Sequence, residues 1–244
     1  ELRGDRGRQF VGDQHRGAVD LAEQLTWPGR AVPQVHPQAA GDIYSNAVNQ
    51  VIFDTLYKYD HLARPYKLVP NTAVALPEIG DGGKLWTIRV RPGIYFADDP
   101  AFKGQKRELT AHDYVYAWKR VMDPRMRSNS MQMFDGRFEG MDEVVAAARE
   151  GGKFDYDKTI AGLQAIDRYT IRLRLRFPDT ELMANLTTTG ASAVAREVIE
   201  AYGDGSGWAM ANQGPSTWAR MIFSRSSEPA ARTTPRMPRP IGSS

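Results

Sequence analysis

Residues 85–99 read LWTIRVRPGIYFADD, and residues 109–124 read LTAHDYVYAWKRVMDP. In the first stretch Trp86, Ile88 and Val90 alternate with Thr87, Arg89 and Arg91. That period of two is the pattern of a half-buried strand. Pro92 and Gly93 stand where a type II turn needs them, proline fixing φ and glycine accepting a positive φ. A charged loop from Ala97 to Glu108 leads into the second stretch. There Thr110 reads as an N-cap, with Asp113 three residues on completing an acidic capping box. Tyr114, Val115, Trp118, Val121 and Met122 form one apolar helical face. Asp123-Pro124 ends the helix, because the residue before proline avoids the α region.

Working outward, residues 42–60 read DIYSNAVNQVIFDTLYKYD, with Tyr44, Val48, Val51, Ile52 and Leu56 at helical spacing and Asp42 as the N-cap. Residues 65–79 are extended and punctuated by proline. Residues 169–177, YTIRLRLRF, predict a second strand, with Tyr169, Ile171, Leu173, Leu175 and Phe177 on one face and Arg172, Arg174 and Arg176 on the other. Further helices are expected over Asp142–Glu150, stopped by Gly151-Gly152, over Asp157–Ile166, and over the stretch with Val194, Val198 and Tyr202, stopped by Gly203. Helices and strands mix along the chain without an internal repeat, which predicts an α/β (mixed α+β) fold.

Composition bounds the chemistry. The 244 residues are 41% hydrophobic and 25% charged, as in soluble globular proteins, and suffice for a core. The absence of cysteine excludes disulfides, thiolate metal sites and a cysteine nucleophile. No apolar run reaches the ~20 residues that span a bilayer, and the opening ELRGDRGRQF has no signal-peptide core. The net charge of +3 is unevenly placed. Residues 1–36 hold five Arg and five acids, residues 37–215 hold 22 Lys+Arg and 23 acids, and residues 216–244 hold five Arg and one Glu. The body therefore lacks a basic footprint for nucleic acid.

Three segments follow: a poorly structured 1–36, a body over 37–215, and a Ser/Arg/Pro-rich disordered tail over 216–244. The two ends hold ten Arg and no Lys, against 14 Arg and eight Lys in the body. Such ends fit either out-of-frame translation flanking a genuine body or natural disorder.

Few residues offer chemistry. His15, His36, His61 and His112 have no histidine partner at metal-ligand spacing. Asp98-Asp99 and the FDYD run over Phe154–Asp157 could be carboxylate pairs, but they read as loop and cap acids without calcium-loop spacing. The Arg172, Arg174, Arg176 row reads as the wet side of an edge strand. The aromatics Trp86, Tyr95, Phe96, Tyr114, Tyr116 and Trp118 read mostly as core. No nucleophile elbow, phosphate loop or dinucleotide fingerprint occurs, so no enzyme, cofactor or metal is expected.

The order of the pieces carries a resemblance. Leu56-Tyr57, then Trp86, Arg91, Gly93, Ile94 and Phe96, then Thr110-Ala111 with Asp113, then Asp123-Pro124, resemble in order and spacing the family 5 extracellular solute-binding proteins, over about residues 37–204. These are the peptide and nickel receptors of ATP-binding-cassette importers. The family strand Gly-Thr-Gly-Pro-Tyr is met here only by Gly214-Pro215 before the pattern is lost. The resemblance implies a periplasmic binding protein type II-like fold of which this chain holds an incomplete first lobe. It implies a monomeric periplasmic receptor for a peptide or related small-molecule solute, closing two lobes on its ligand and docking on an ABC permease in the membrane. It also implies a truncated chain whose binding is impaired. Because the start of the first helix faces the cleft in that family, it points to Asp42 and Tyr44 as ligand-binding residues, with capping and packing as their other reading. A basic-tailed nucleic-acid-associated protein is the alternative.

Overall fold

The computed structural model describes Gln38, residues 43–202 and residues 224–225. The segments 1–36 and 216–244, apart from that last pair, lie outside the described residues, as do Asp42, Gly203, His15 and His36.

Helix α1 (Ile43–Ile52) is followed by the hairpin of β1 (Tyr57–Asp60) and β2 (Lys67–Pro70), paired Tyr57↔Pro70 through Asp60↔Lys67. The helix ends before Leu56, which packs as a buried residue at the mouth of the hairpin. Strands β3 (Glu78–Gly80) and β4 (Leu85–Arg89) come next, then the short β5 (Ile94–Tyr95). Helices α2 (Ala111–Met122) and α3 (Met141–Arg149) precede β6 (Leu163–Ala165) and β7 (Thr170–Arg174). Two short helices, α4 (Leu182–Asn185) and α5 (Arg196–Tyr202), follow, and β8 (Ser224–Arg225) pairs with β5.

The central sheet is antiparallel, in the order β3-β4-β7-β6. Register Trp86↔Leu173 and Ile88↔Ile171 sets the apolar residues of β4 and β7 on one face, and all four are buried. Each such side chain contributes about 1.5–3 kcal/mol on burial. The arginines on the other face make surface pairs worth about 0–1 kcal/mol each, so the apolar face sets the register. Gly93 has φ +79°, as the turn after β4 requires.

Helix α2 covers the apolar face of the sheet. A single apolar stripe was expected on it, yet every residue except His112 is buried, Lys119 and Arg120 included. The reason is a second layer: the turn Thr189–Ala191 and the residues that follow pack behind it, and Trp118 Nε1 donates to Ala191 O at 2.9 Å. Asp123 is extended (φ −68°, ψ 118°) and closes the helix ahead of Pro124.

Three further expectations fail. Residues 157–166 are not helical: bends, an Ile160–Leu163 bridge and β6 occupy that span. Ile160 and Leu163 have helical spacing, but the unpaired side of β7 takes the segment as a strand. Gly162 permits the approach, because a Cβ there would stand 2.3 Å from Glu139 N. The arginine row does face solvent, but β7 lies inside the sheet and is not its edge. Arg176 pairs there with Asp142, the second residue of α3, at 2.5 Å. Phe177 is 49% exposed, because β7 and its burial pattern end before it. Among the described residues no helix is long and apolar enough to cross a membrane.

Candidate functional site

The start of α1 is the region to which the sequence points. Asp42 lies outside the described residues, and of Tyr44 only its place as the second residue of α1 is described. What the fold brings to this region comes from far along the chain. Gln38 is fully buried, and its Nε2 donates to Ser192 O at 3.0 Å. Ser128 Oγ donates to Gln38 O. Thr189 Oγ1 donates to Asn46 Oδ1 at 3.4 Å.

Gln38 Oε1 and Ser192 Oγ are buried here without a hydrogen-bond partner among the described residues. A buried polar group left unsatisfied costs roughly 1–3 kcal/mol. The cluster therefore holds one unused acceptor and one hydroxyl able to donate or accept, both uncharged, beside the helix predicted to meet ligand. That chemistry suits a backbone amide. Sequence reasoning missed Gln38, Ser128 and Ser192, because they are small or neutral residues in no motif and meet only across separations of 90 and 154 positions.

A second concavity lies between α2, α5 and the outer edge of β6. Its volume is about 710 Å³, and it shares no lining residue with the Gln38 cluster. Two ion-pair groups bound it. At one end Arg107 binds Asp113 (2.6 Å) and Glu197 (2.8 Å). Burial acts to lower the Arg107 guanidinium, but hydrogen bonds to Glu197 and Asp113 leave it above its usual value. Burial raises the Asp113 carboxyl above the ordinary aspartate value, even though Arg107 and Thr110 pull it down. At the other end Arg196 binds Asp157 and, at 2.6 Å, Glu200. Lys119 lies beside this second group. Its Nζ donates to Tyr156 O and Lys158 O, both at 2.8 Å. Burial pushes its ammonium below the usual lysine value.

The other singled-out residues lie outside the Gln38 cluster, and His112, Tyr116 and Asp157 line the second concavity. His61 and His112 are exposed. Asp99 accepts from Ala101 N at 2.8 Å as a cap, and Asp155 accepts from Asp157 N at 3.0 Å. Trp86, Phe96, Tyr114, Tyr116 and Trp118 are core, whereas Tyr95 is half-buried. No group of three or more His, Cys, Asp or Glu able to hold a metal occurs among the described residues.

A family model described as bacterial extracellular solute-binding proteins, family 5 Middle, matches residues 67–226. The periplasmic oligopeptide-binding protein OppA of Salmonella typhimurium is 24% identical over 190 residues, covering 76% of this chain and 32% of that protein. The Escherichia coli protein of the same name is 27% identical over 190 residues, with the same coverage. Among solved structures, the peptide-binding pheromone receptor PrgZ superposes with a TM-score of 0.57 at 26% identity, covering 72% of this chain and 31% of the receptor. The chain thus spans about a third of the length of the curated relatives it matches.

Proposed function

Because the chain belongs to the bacterial extracellular solute-binding proteins of family 5, we propose that it serves as the substrate-binding component of an ABC-type importer, taking up peptides or a related solute. The observation that carries this reading is the family match over residues 67–226, together with the unspent hydrogen-bonding atoms of Gln38 and Ser192 beside α1. A neutral acceptor and a hydroxyl meet the N–H and C=O groups every peptide presents, whatever its side chains. The working place is the periplasm, by its relatives' names. Its partners are the solute and a membrane permease; it acts as a monomer, and neither nucleic acid nor catalysis is part of the role.

Solute capture in this class closes two walls on the ligand. A bound small ligand typically loses ~70–90% of its surface to its pocket, and the body over residues 37–215 offers one wall, a part of the first lobe. The 244-residue chain taken alone therefore binds weakly. Calorimetry and NMR titration with di- to pentapeptides test this. Peptides should shift the Ser128, Ser192 and Gln38 signals with half-saturation near ~1 mM, about 4 kcal/mol of binding, whereas sugars and duplex DNA should not. Micromolar capture by this chain would refute the one-wall reading. Silence toward every peptide alongside salt-sensitive DNA binding would refute the receptor reading.

A further inference from the structure

The groove beside β6 is built differently from the Gln38 cluster, and its distinguishing feature is an unpaired strand edge. Arg174 N donates to Gly162 O at 3.0 Å, and Ile166 N donates to Thr170 O at 2.9 Å. In an antiparallel ladder these mark the hydrogen-bonded pairs, which then include Gln164↔Arg172. Leu163 and Ala165 are therefore the alternate residues, whose N–H and C=O groups point away from β7. Leu163 N is taken by Ile160 O at 3.1 Å. The antiparallel Ile160–Leu163 bridge engages the Leu163 carbonyl as well, so the open groups of this edge, among the described residues, are the N–H and C=O of Ala165. They line the groove, because β6 is the last strand of the sheet.

Charge gives the groove a direction. Ala111 N donates to Arg168 O at 2.8 Å, which puts the start of α2 beside the end of the β6–β7 hairpin. Lys119, near the end of α2, reaches the carbonyls of Tyr156 and Lys158, which precede β6. So α2 and β6 run in opposite directions along the two walls. At the far end of β6, Asp113 and Glu197 share the single cation Arg107, leaving one negative charge in excess. At its near end Arg196 is held by Asp157 and Glu200, and Lys119 offsets the charge they leave over, so that end is neutral where the far end is negative. Lys119 there has only neutral carbonyls as acceptors, two for its three N–H groups.

The geometry points to a second peptide site: an extended peptide with free termini adds as an antiparallel strand to the open edge of β6, its carboxylate toward Lys119 and its amine toward Glu197 and Asp113. Strand addition supplies main-chain hydrogen bonds that do not depend on side chains, and the flanking charges set the direction. A strand placed ~4.8 Å from β6 enters the groove of about 710 Å³ between α2 and α5. This inference does not depend on the Gln38 cluster and stands or falls separately.

The test is amide hydrogen exchange by NMR on the 244-residue chain, titrated with tetra-alanine. The Ala165 amide should exchange about tenfold more slowly at saturation, with half-saturation near ~1 mM, as an open groove allows. Amidating the peptide C-terminus, or the change Lys119→Met, should weaken that half-saturation several-fold. If Lys119→Met fails to fold, Ala165→Pro replaces it. Proline is tolerated on an outward-facing edge position, and it should abolish the peptide-induced shifts of Tyr116 and Lys119 while leaving the free spectrum folded. Three results overturn the proposal: an Ala165 amide indifferent to several millimolar peptide, peptide shifts confined to Gln38 and Ser192, or Ala165 protection that rises with protein concentration alone. The second leaves the receptor reading intact, and the third assigns the edge to another copy of the chain.

Discussion

Glu108 Oε1 accepts the Gly93 N–H at 2.7 Å, tying the turn after β4 to the loop that leads into α2. The other carboxylate oxygen accepts from Arg168 Nη2 (2.8 Å) and from Tyr169 OH (2.9 Å). Burial raises the Glu108 carboxyl, but the Gly93 amide, Arg168 and Tyr169 outweigh it and hold it below the ordinary glutamate value near 4.5. A carboxylate with a lowered folded value stabilises the fold fully above the unfolded value, and the contribution is lost as pH falls through the folded one. The change Glu108→Gln should therefore destabilise the chain at pH 7, and it should lose less further stability than the parent between about pH 5 and pH 3. Urea midpoints for both proteins across that range check it, and parallel acid losses would remove Glu108 from the account.

Asp113 serves two partners at once. It accepts from Thr110 N (2.7 Å) and Thr110 Oγ1 (2.9 Å) at the start of α2, and from Arg107 Nη2 at 2.6 Å. Its side chain is 3% exposed and that of Arg107 is 25% exposed. Asp113→Ala removes the cap of α2 and one of the two carboxylates on Arg107, which keeps Glu197; it should cost about 2–3 kcal/mol in urea unfolding, and Thr110→Ala, which spares the ion pair, about 1 kcal/mol. Equal losses would mean that Asp113 acts only as a cap.

The stretches legible in the sequence are those where local pattern and tertiary packing agree. Strand β4, the Gly93 turn, α2 with its Thr110–Asp113 start, and the Ile171, Leu173, Leu175 face could all be read from alternation, helical spacing and turn chemistry. Residues 157–166 could not, because Ile160 and Leu163 satisfy a helix and a bridged strand equally, and only the unpaired side of β7 decides between them. The burial of Lys119 was equally hidden, since the carbonyls that receive it lie 37 and 39 residues away. The family resemblance reached further than local chemistry: motif order is preserved where neutral buried residues such as Gln38 and Ser192 carry no pattern of their own.

Gly162 tests the strand assignment directly. A Cβ at this position would stand 2.3 Å from Glu139 N, 2.7 Å from Glu139 O and 2.8 Å from Arg174 O, all backbone atoms. Backbone cannot swing aside as a flexible side chain can, so Gly162→Ala should destabilise by about 1–3 kcal/mol or more. It should also weaken the β6–β7 pairing, seen as faster exchange of the Arg174 amide. Gly80→Ala, where nothing lies within 4 Å of the added methyl, is the control and should stay within about 0.5 kcal/mol. A tolerated Gly162→Ala would mean that β6 does not sit against Glu139 as described.

Ser192 offers a prediction with opposite signs for stability and binding. Its Oγ is buried without a hydrogen-bond partner among the described residues, so in the free chain the hydroxyl carries an uncompensated desolvation cost of about 1–3 kcal/mol. Ser192→Ala keeps the backbone carbonyl that receives Gln38 Nε2 and removes only that oxygen. The variant should be as stable as the parent, or more stable by about 1 kcal/mol, when unfolded in urea without peptide. With peptide present, it should lose the shift at Gln38 and require several-fold more peptide for half-saturation, because the atom that costs stability in the empty chain is the one a bound amide would satisfy. A variant that is less stable and binds unchanged would show that Ser192 Oγ serves the fold and not the solute.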